Sequence, residues 1–162
     1  MMTCRIRRIV PLRSGGSGRS PGWTRESRPR VVLVCAVAAS CGGLPSTVHA
    51  LATGGDPLQA TRAAATVVPG RRDRPGVTAG IAVHMLISAG WTTVLTAVDR
   101  RRRLGLLGGI AAGLLIATLD LEIIGRTRPA IRSLPRLPQW LDHIAFGAIV
   151  GVLLGNRESV DP

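Results

Sequence analysis

The sequence predicts an all-α integral membrane bundle of four transmembrane helices, with a disordered basic tail at its N-terminus. Apolar residues are concentrated in four blocks of membrane-spanning length, residues 31–53, 77–98, 104–125 and 138–155. The charged residues lie almost entirely between these blocks, and residues 75–98 contain no Asp, Glu, Lys or Arg. A soluble helical bundle would instead carry polar residues at every third or fourth position.

The chain has 162 residues and a net charge of +12, and all 21 of its basic residues are Arg. With abundant Ala, Gly and Val, this uniformity is typical of codon bias in a GC-rich bacterial genome. The Arg residues flank the apolar blocks and accompany no helix-turn-helix or zinc-finger motif. The predicted partner is therefore a bilayer with anionic headgroups, and not nucleic acid.

The chain divides into a tail, a membrane domain and a short C-terminal tail. Residues 1–30 are rich in Arg, Gly and Ser and are expected to be disordered. Residues 31–155 form the four-helix domain, and residues 156–162 follow it. The first block is interpreted as a retained helix kinked at Pro45. A cleaved signal peptide ending at Ala50 is the alternative, because the block ends in the small-residue sequence VHA.

Orientation follows from the loop of residues 99–103, which contains four consecutive Arg. Short basic loops are retained in the cytoplasm, so the second helix is predicted to run inward and both termini to be cytoplasmic at a bacterial plasma membrane. Between the first two helices, residues 56–68 begin with Asp56 and Pro57, an N-cap followed by a favourable first helical residue. They predict a short interfacial helix, with an ordered surface loop as the alternative.

Ionisable side chains inside the apolar blocks are costly in hydrocarbon and require a partner or a purpose. Depth along each helix, at about 1.5 Å per residue, places these residues in the outer half of the membrane. The candidate polar cluster consists of His84, Asp120, Asp142 and His143.

Glycine recurs at every fourth position on the third and fourth helices, a spacing that lets helix backbones approach closely. The residues concerned are Gly105, Gly109, Gly113, Gly147, Gly151 and Gly155. At about 100° per residue, Asp120 lies on the first glycine face and His143 lies on the second. We therefore expect these two helices to pack together with Asp120 and His143 in contact, and His84 to join them.

The connection between the third and fourth helices is rich in Arg and lies beside the acidic residues Glu122 and Asp142. Arg126 follows Glu122 by four residues, the favourable order for an ion pair on a helix. The pattern predicts a clamp between the loop and the helix ends. The alternative is a functional site in which the cluster binds an anionic headgroup, a metal or a transported proton. The Arg residues concerned are Arg126, Arg128, Arg132 and Arg136.

The sequence contains no H-E-x-x-H, G-x-S-x-G, Walker or dinucleotide-binding motif. It therefore predicts a polytopic membrane protein with a non-enzymatic role, as a transporter-like, channel-like or accessory component, and without a cofactor. A homo-oligomer or a complex with another membrane protein is left open. The alternative is a membrane-embedded enzyme or metal site, because the polar cluster offers N and O ligands suited to zinc or a harder divalent ion.

The segment LDLEIIGRTRPAIRSLPRLPQWLDHIAFG, residues 119–147, resembles a group of small actinobacterial multi-pass membrane proteins. The likeness extends upstream through ATGGDPLQATRAA and residues 84–91, and it leaves out the basic tail. It implies a multi-pass membrane fold and brings no assigned activity.

Overall fold

A computed structural model of the chain describes residues 27–70 and 75–156. Within these residues the chain forms helices and turns and no strand, and four of the helices are long and apolar enough to cross a membrane. The four spans are Arg30–Ala52, Val77–Arg101, Gly105–Thr127 and Arg136–Gly155. The predicted all-α membrane bundle is confirmed. The expected tails, apart from residues 27–30 and 156, lie outside the described residues.

The first span consists of two helices, α1 at Ser27–Gly42 and α2 at Leu44–Ala52. Pro45 interrupts the span because it has no N–H to donate and its ring excludes the carbonyl four residues earlier. The predicted kink is therefore present as a break. At Gly42, the last residue of α1, the backbone lies directly against α7. A Cβ added to Gly42 would sit 3.0 Å from the Cβ of Phe146, so there is little room for a side chain.

A short helix, α3 at Gln59–Ala65, lies within the segment predicted to be interfacial and precedes α4 at Val77–Arg101. The turn before α3 is fixed by Asp56, whose carboxylate accepts the N–H of Leu58 at 2.9 Å and pairs with Arg62. Packing of α3 on α4 requires glycine at position 80, because a Cβ there would overlap the carbonyl oxygen of Thr61.

The third span changes its helical form near its end. It begins as α5, Gly105–Ala117, continues as a π-helical segment, Thr118–Ile124, and closes with the 3-10 turn Gly125–Thr127. In the π-helical segment the N–H of Gly125 bonds the carbonyl oxygen of Asp120, five residues earlier. Such wide turns are frequent at functional sites. This one carries both acidic residues of the span.

The last two helices are the single turn α6, Pro129–Arg132, and the long α7, Arg136–Gly155. Helix α7 is central, because α1, α2, α4 and α5 all pack against it. The buried core consists of Val34, Ala38, Leu95, Ile116, Phe146, Val150 and Leu154. Large apolar side chains also cover the outside, with Leu107 at 80% exposure and Leu86 at 74%, as expected for a surface that faces lipid.

Backbone contact joins α5 to α7 along the glycines. An added Cβ on Gly109 would overlap the carbonyl oxygen of Gly147, and one on Gly113 would overlap that of His143. Added Cβ atoms on Gly147 and Gly151 would likewise overlap carbonyl oxygens of α5. At the far end, an added Cβ on Gly155 would have an ordinary contact 3.6 Å from the Cα of Gly105. We call this contact the glycine seam.

Substitution of Gly109 by Ala tests the glycine seam. The added methyl group has no room against the backbone of α7, so we expect the free energy of unfolding in detergent to fall by about 1–3 kcal/mol. Gly90→Ala is the matched control, because no atom lies within 4 Å of a Cβ at that position of α4. The control should leave stability unchanged or raise it by up to about 1 kcal/mol through helix propensity. Equal effects of the two substitutions would contradict the seam.

Candidate functional site

The polar residues meet at the end of the bundle where α2 ends and α4 and α7 begin, which we call the loop end. There the Nε2 atom of His143 lies 3.5 Å from Oδ2 of Asp120, joining α7 to the π-helical segment. The Asp120 and His143 side chains retain 20% and 21% of their surface, respectively. Helical phase predicted this contact, because the glycine seam sets the two residues opposite each other.

A second contact orients the ring of His143. Its Nδ1 atom lies 2.8 Å from the carbonyl oxygen of Gln139, one turn earlier on α7. A carbonyl oxygen only accepts hydrogen bonds, so Nδ1 is the donor in this contact. The two contacts fix the imidazole between its own helix and the neighbouring one.

Asp142 makes a different contact from the one predicted. It was expected to pair with the Arg-rich loop, but its Oδ1 accepts the backbone N–H of Ser46 at 2.8 Å. Ser46 lies in the first turn of α2, where the break at Pro45 leaves an N–H without a partner in its own helix. A carboxylate at a helix N-terminus also interacts favourably with the helix dipole. Asp142 is thus an N-terminal cap supplied to α2 by another helix.

His84 is not in contact with the Asp120 and His143 pair, contrary to the expectation. Its Nε2 atom bonds the carbonyl oxygen of Ala39 at 3.0 Å, between α4 and α1. The reason is the order of the helices, because α4 packs on α1, α3 and α7, whereas α5 packs on α7. Helical phase gave the direction of His84 on its own helix but not the identity of the helix it faces.

The Arg residues of the loop end have separate roles. Glu122 pairs with Arg136 at 2.5 Å and with Arg126 at 3.6 Å, so it joins the π-helical segment to the start of α7. Arg128 donates to the carbonyl oxygen of Thr66 at 3.1 Å and thereby caps the C-terminus of α3. Arg132 is exposed. The predicted clamp therefore includes α3 as well as the two helices beside the loop.

The four residues of the predicted polar cluster do not form a set of metal ligands. In the described ranges 27–70 and 75–156, no group of three or more His, Cys, Asp or Glu side chains is placed to hold a metal ion. Asp142 and His84 are directed to α2 and α1, respectively, which leaves Asp120 and His143 as a pair.

No family model, curated protein or solved structure matches the chain. The resemblance to actinobacterial membrane proteins therefore stays a prediction.

A small cleft of about 100 Å³ lies at the loop end, between α2, the start of α3 and the first turn of α7. Its polar lining includes Ser46, His49, Asp56 and Gln139. Two of these residues, Ser46 and Gln139, are the ones whose backbone groups bond Asp142 and His143. The cleft is therefore lined by the residues to which Asp142 and His143 are bonded, and not by Asp142 and His143 themselves.

The polar face of α4 extends beyond the series of Gly80, His84 and Ser88, at a spacing of four residues, that the sequence indicates. Ser88, Thr92, Thr96 and Asp99 are buried, at nearly regular spacing, on the face that packs into the bundle. Asp99 also accepts the N–H of Leu104 at 3.0 Å and closes the turn into α5. Spacing was the available signal, since Gly80 and His84 continue the same series toward the loop end.

Two substitutions of Asp142 test its capping role. Asp142→Ala leaves the N–H of Ser46 without its acceptor, and we expect a loss of roughly 1–3 kcal/mol in the free energy of unfolding. Asp142→Asn keeps a carbonyl oxygen at the same place and should cost clearly less. Both variants are compared with the wild type by denaturant unfolding in the same detergent. An equal loss in the two variants would contradict the capping contact.

Proposed function

We propose that this protein is a non-enzymatic, multi-pass component of a bacterial plasma membrane. The observation that carries the proposal is the use of the acidic residues at the loop end. Asp120, Glu122 and Asp142 each bond a group on another element of the same chain. Carboxylates that join helices in this way serve the bundle, whereas a catalytic carboxylate is directed toward a substrate.

The proposed orientation has both termini in the cytoplasm. Residues 100–103 are four exposed Arg at the end of the bundle opposite the loop end. Arg30 is at the same end, where its guanidinium donates to the carbonyl oxygen of Leu153. Anionic headgroups of the inner leaflet are the natural partner of such a group of Arg residues, each contributing about 1 kcal/mol.

Within the non-enzymatic roles, an accessory component has the most support. Helix α5 packs on α7, and its other side presents Leu107 and Leu115 at 80% and 61% exposure. That side is available to lipid, to a second copy or to a helix of another membrane protein. A transporter-like role is favoured by one observation, the cleft lined by Gln139, whose carbonyl oxygen bonds His143.

Reporter fusions test the orientation. A reporter that is active only in the cytoplasm should be active at the C-terminus and inactive when inserted after Gly70. Replacing residues 101–103 by Gln removes the basic signal and should mix the two orientations. A matched replacement of Arg126, Arg128 and Arg132 by Gln should preserve the wild-type orientation. Activity after Gly70 in the wild type would overturn the proposed topology.

Folded yield tests whether the loop-end cluster serves the bundle. His143→Ala removes both contacts of the ring and should lower the yield of monodisperse protein extracted in mild detergent. His49→Ala is the matched control, since His49 is an exposed histidine of the same loop end. A normal yield of the His143 variant would contradict the proposed structural role of the cluster.

A further inference from the structure

The His143 ring has two polar neighbours, and a neutral ring has one hydrogen to offer them. The carbonyl oxygen of Gln139 accepts the Nδ1 hydrogen, and the Nε2 atom faces the Asp120 carboxyl at 3.5 Å. A neutral imidazole carries a single N–H. If Asp120 is ionised, a neutral ring can donate its hydrogen to only one of the two neighbours. The lone pair of its other nitrogen then faces either the Asp120 carboxylate or the Gln139 carbonyl oxygen.

Both contacts are satisfied when a proton lies between Nε2 of His143 and Oδ2 of Asp120. The proton can reside on the ring, giving an imidazolium beside a carboxylate, or on Asp120, giving a carboxylic acid beside a neutral imidazole. The number of protons is the same in the two forms, and so is the total charge, which is zero. A neutral pair is also the form that apolar surroundings favour.

Water can reach the neighbourhood of this pair from the loop end. The cleft of about 100 Å³ has room for several waters, since roughly 10–15 Å³ is enough for one. Its lining includes Gln139, the residue that accepts the Nδ1 hydrogen of His143. The Asp120 and His143 side chains themselves retain about one fifth of their surface, so water at the loop end can exchange a proton with them.

The surrounding ionisable groups have contacts of their own. The carboxylate of Asp142 accepts the N–H of Ser46, and Glu122 pairs with Arg136 and Arg126. His84 bonds the carbonyl oxygen of Ala39, and Arg128 donates to the carbonyl oxygen of Thr66. His49 and Asp56 lie in the cleft wall, and Asp56 pairs with Arg62. Asp142 also interacts electrostatically with His143 and His84, but Asp120 is the acid whose carboxyl oxygen faces the His143 ring nitrogen.

We propose that Asp120 and His143 form a proton-binding site between the π-helical segment and α7, at the loop end of the bundle. Binding takes one proton from water onto the Nε2 or Oδ2 atom, and release returns it to water. Release leaves lone pairs facing each other and weakens the contact between the two helices at the loop end, while the glycine seam persists. The site goes beyond the proposed function and is the same for either orientation in the membrane.

The composition of the chain permits a direct test, because it has no Lys, no Tyr and three His. In protein labelled with ¹⁵N-histidine and ¹³C-aspartate, in nanodiscs, the ring and carboxyl resonances are followed from pH 5 to 10. The site requires an Nδ1 hydrogen on His143 and one further proton, on Nε2 or on Asp120, which is lost in a single step. A neutral ring beside an ionised Asp120 throughout this range would overturn the proposal. This measurement uses only the wild-type sequence.

Stability supplies the second readout, in a background where Cys4, Cys35 and Cys41 are replaced by Ser. The unfolding equilibrium constant should rise with pH as the shared proton is lost, by up to tenfold per pH unit for one proton. Asp120→Asn should remove this rise, because the amide donates to a neutral ring without an added proton. His49→Ala, which removes an exposed histidine of the same loop end, is the control and should retain it. The same rise in the Asp120 variant as in the parent would overturn the proposal.

Discussion

The backbone contact between α5 and α7 is the constraint on which the other contacts depend. With no side chain between Gly109 and Gly147, the carbonyl oxygens and Cα atoms of the two helices meet directly, which fixes their register. A shift of one helical turn, about 5.4 Å, would separate Asp120 from His143. The same seam holds α7 at the centre of the bundle, so residues on its other faces reach α1, α2 and α4.

Sequence periodicity predicted the features that depend on one pair of helices. Two glycine series with a spacing of four residues define two faces, and each face carries one member of the Asp120 and His143 pair. The partners of His84 and Asp142 depend on which helices are neighbours, and periodicity contains no information about that order. Pro45 indicated a break in the first span, but the residue that caps the new helix end is distant in sequence.

Arg residues bond carbonyl oxygens of the same chain at both ends of the bundle, Arg128 at the loop end and Arg30 at the other. At the loop end, Arg136 and Arg128 bond a carboxylate and a helix carbonyl of the same chain. At the other end, residues 100–103 are exposed beside a turn closed by the buried Asp99. Partners inside the chain account for much of the basic charge in the loop between the third and fourth spans.

The break in the first span also has a mechanical consequence. Helix α2 is separated from α1 by Gly43, where an added Cβ would meet no atom within 4 Å, and its first turn is bonded to Asp142. The position of α2 is therefore set by α7 as well as by its chain connection to α1. Loss of the Asp142 contact would free the first turn of α2, and with it one wall of the cleft that α2 and α7 share.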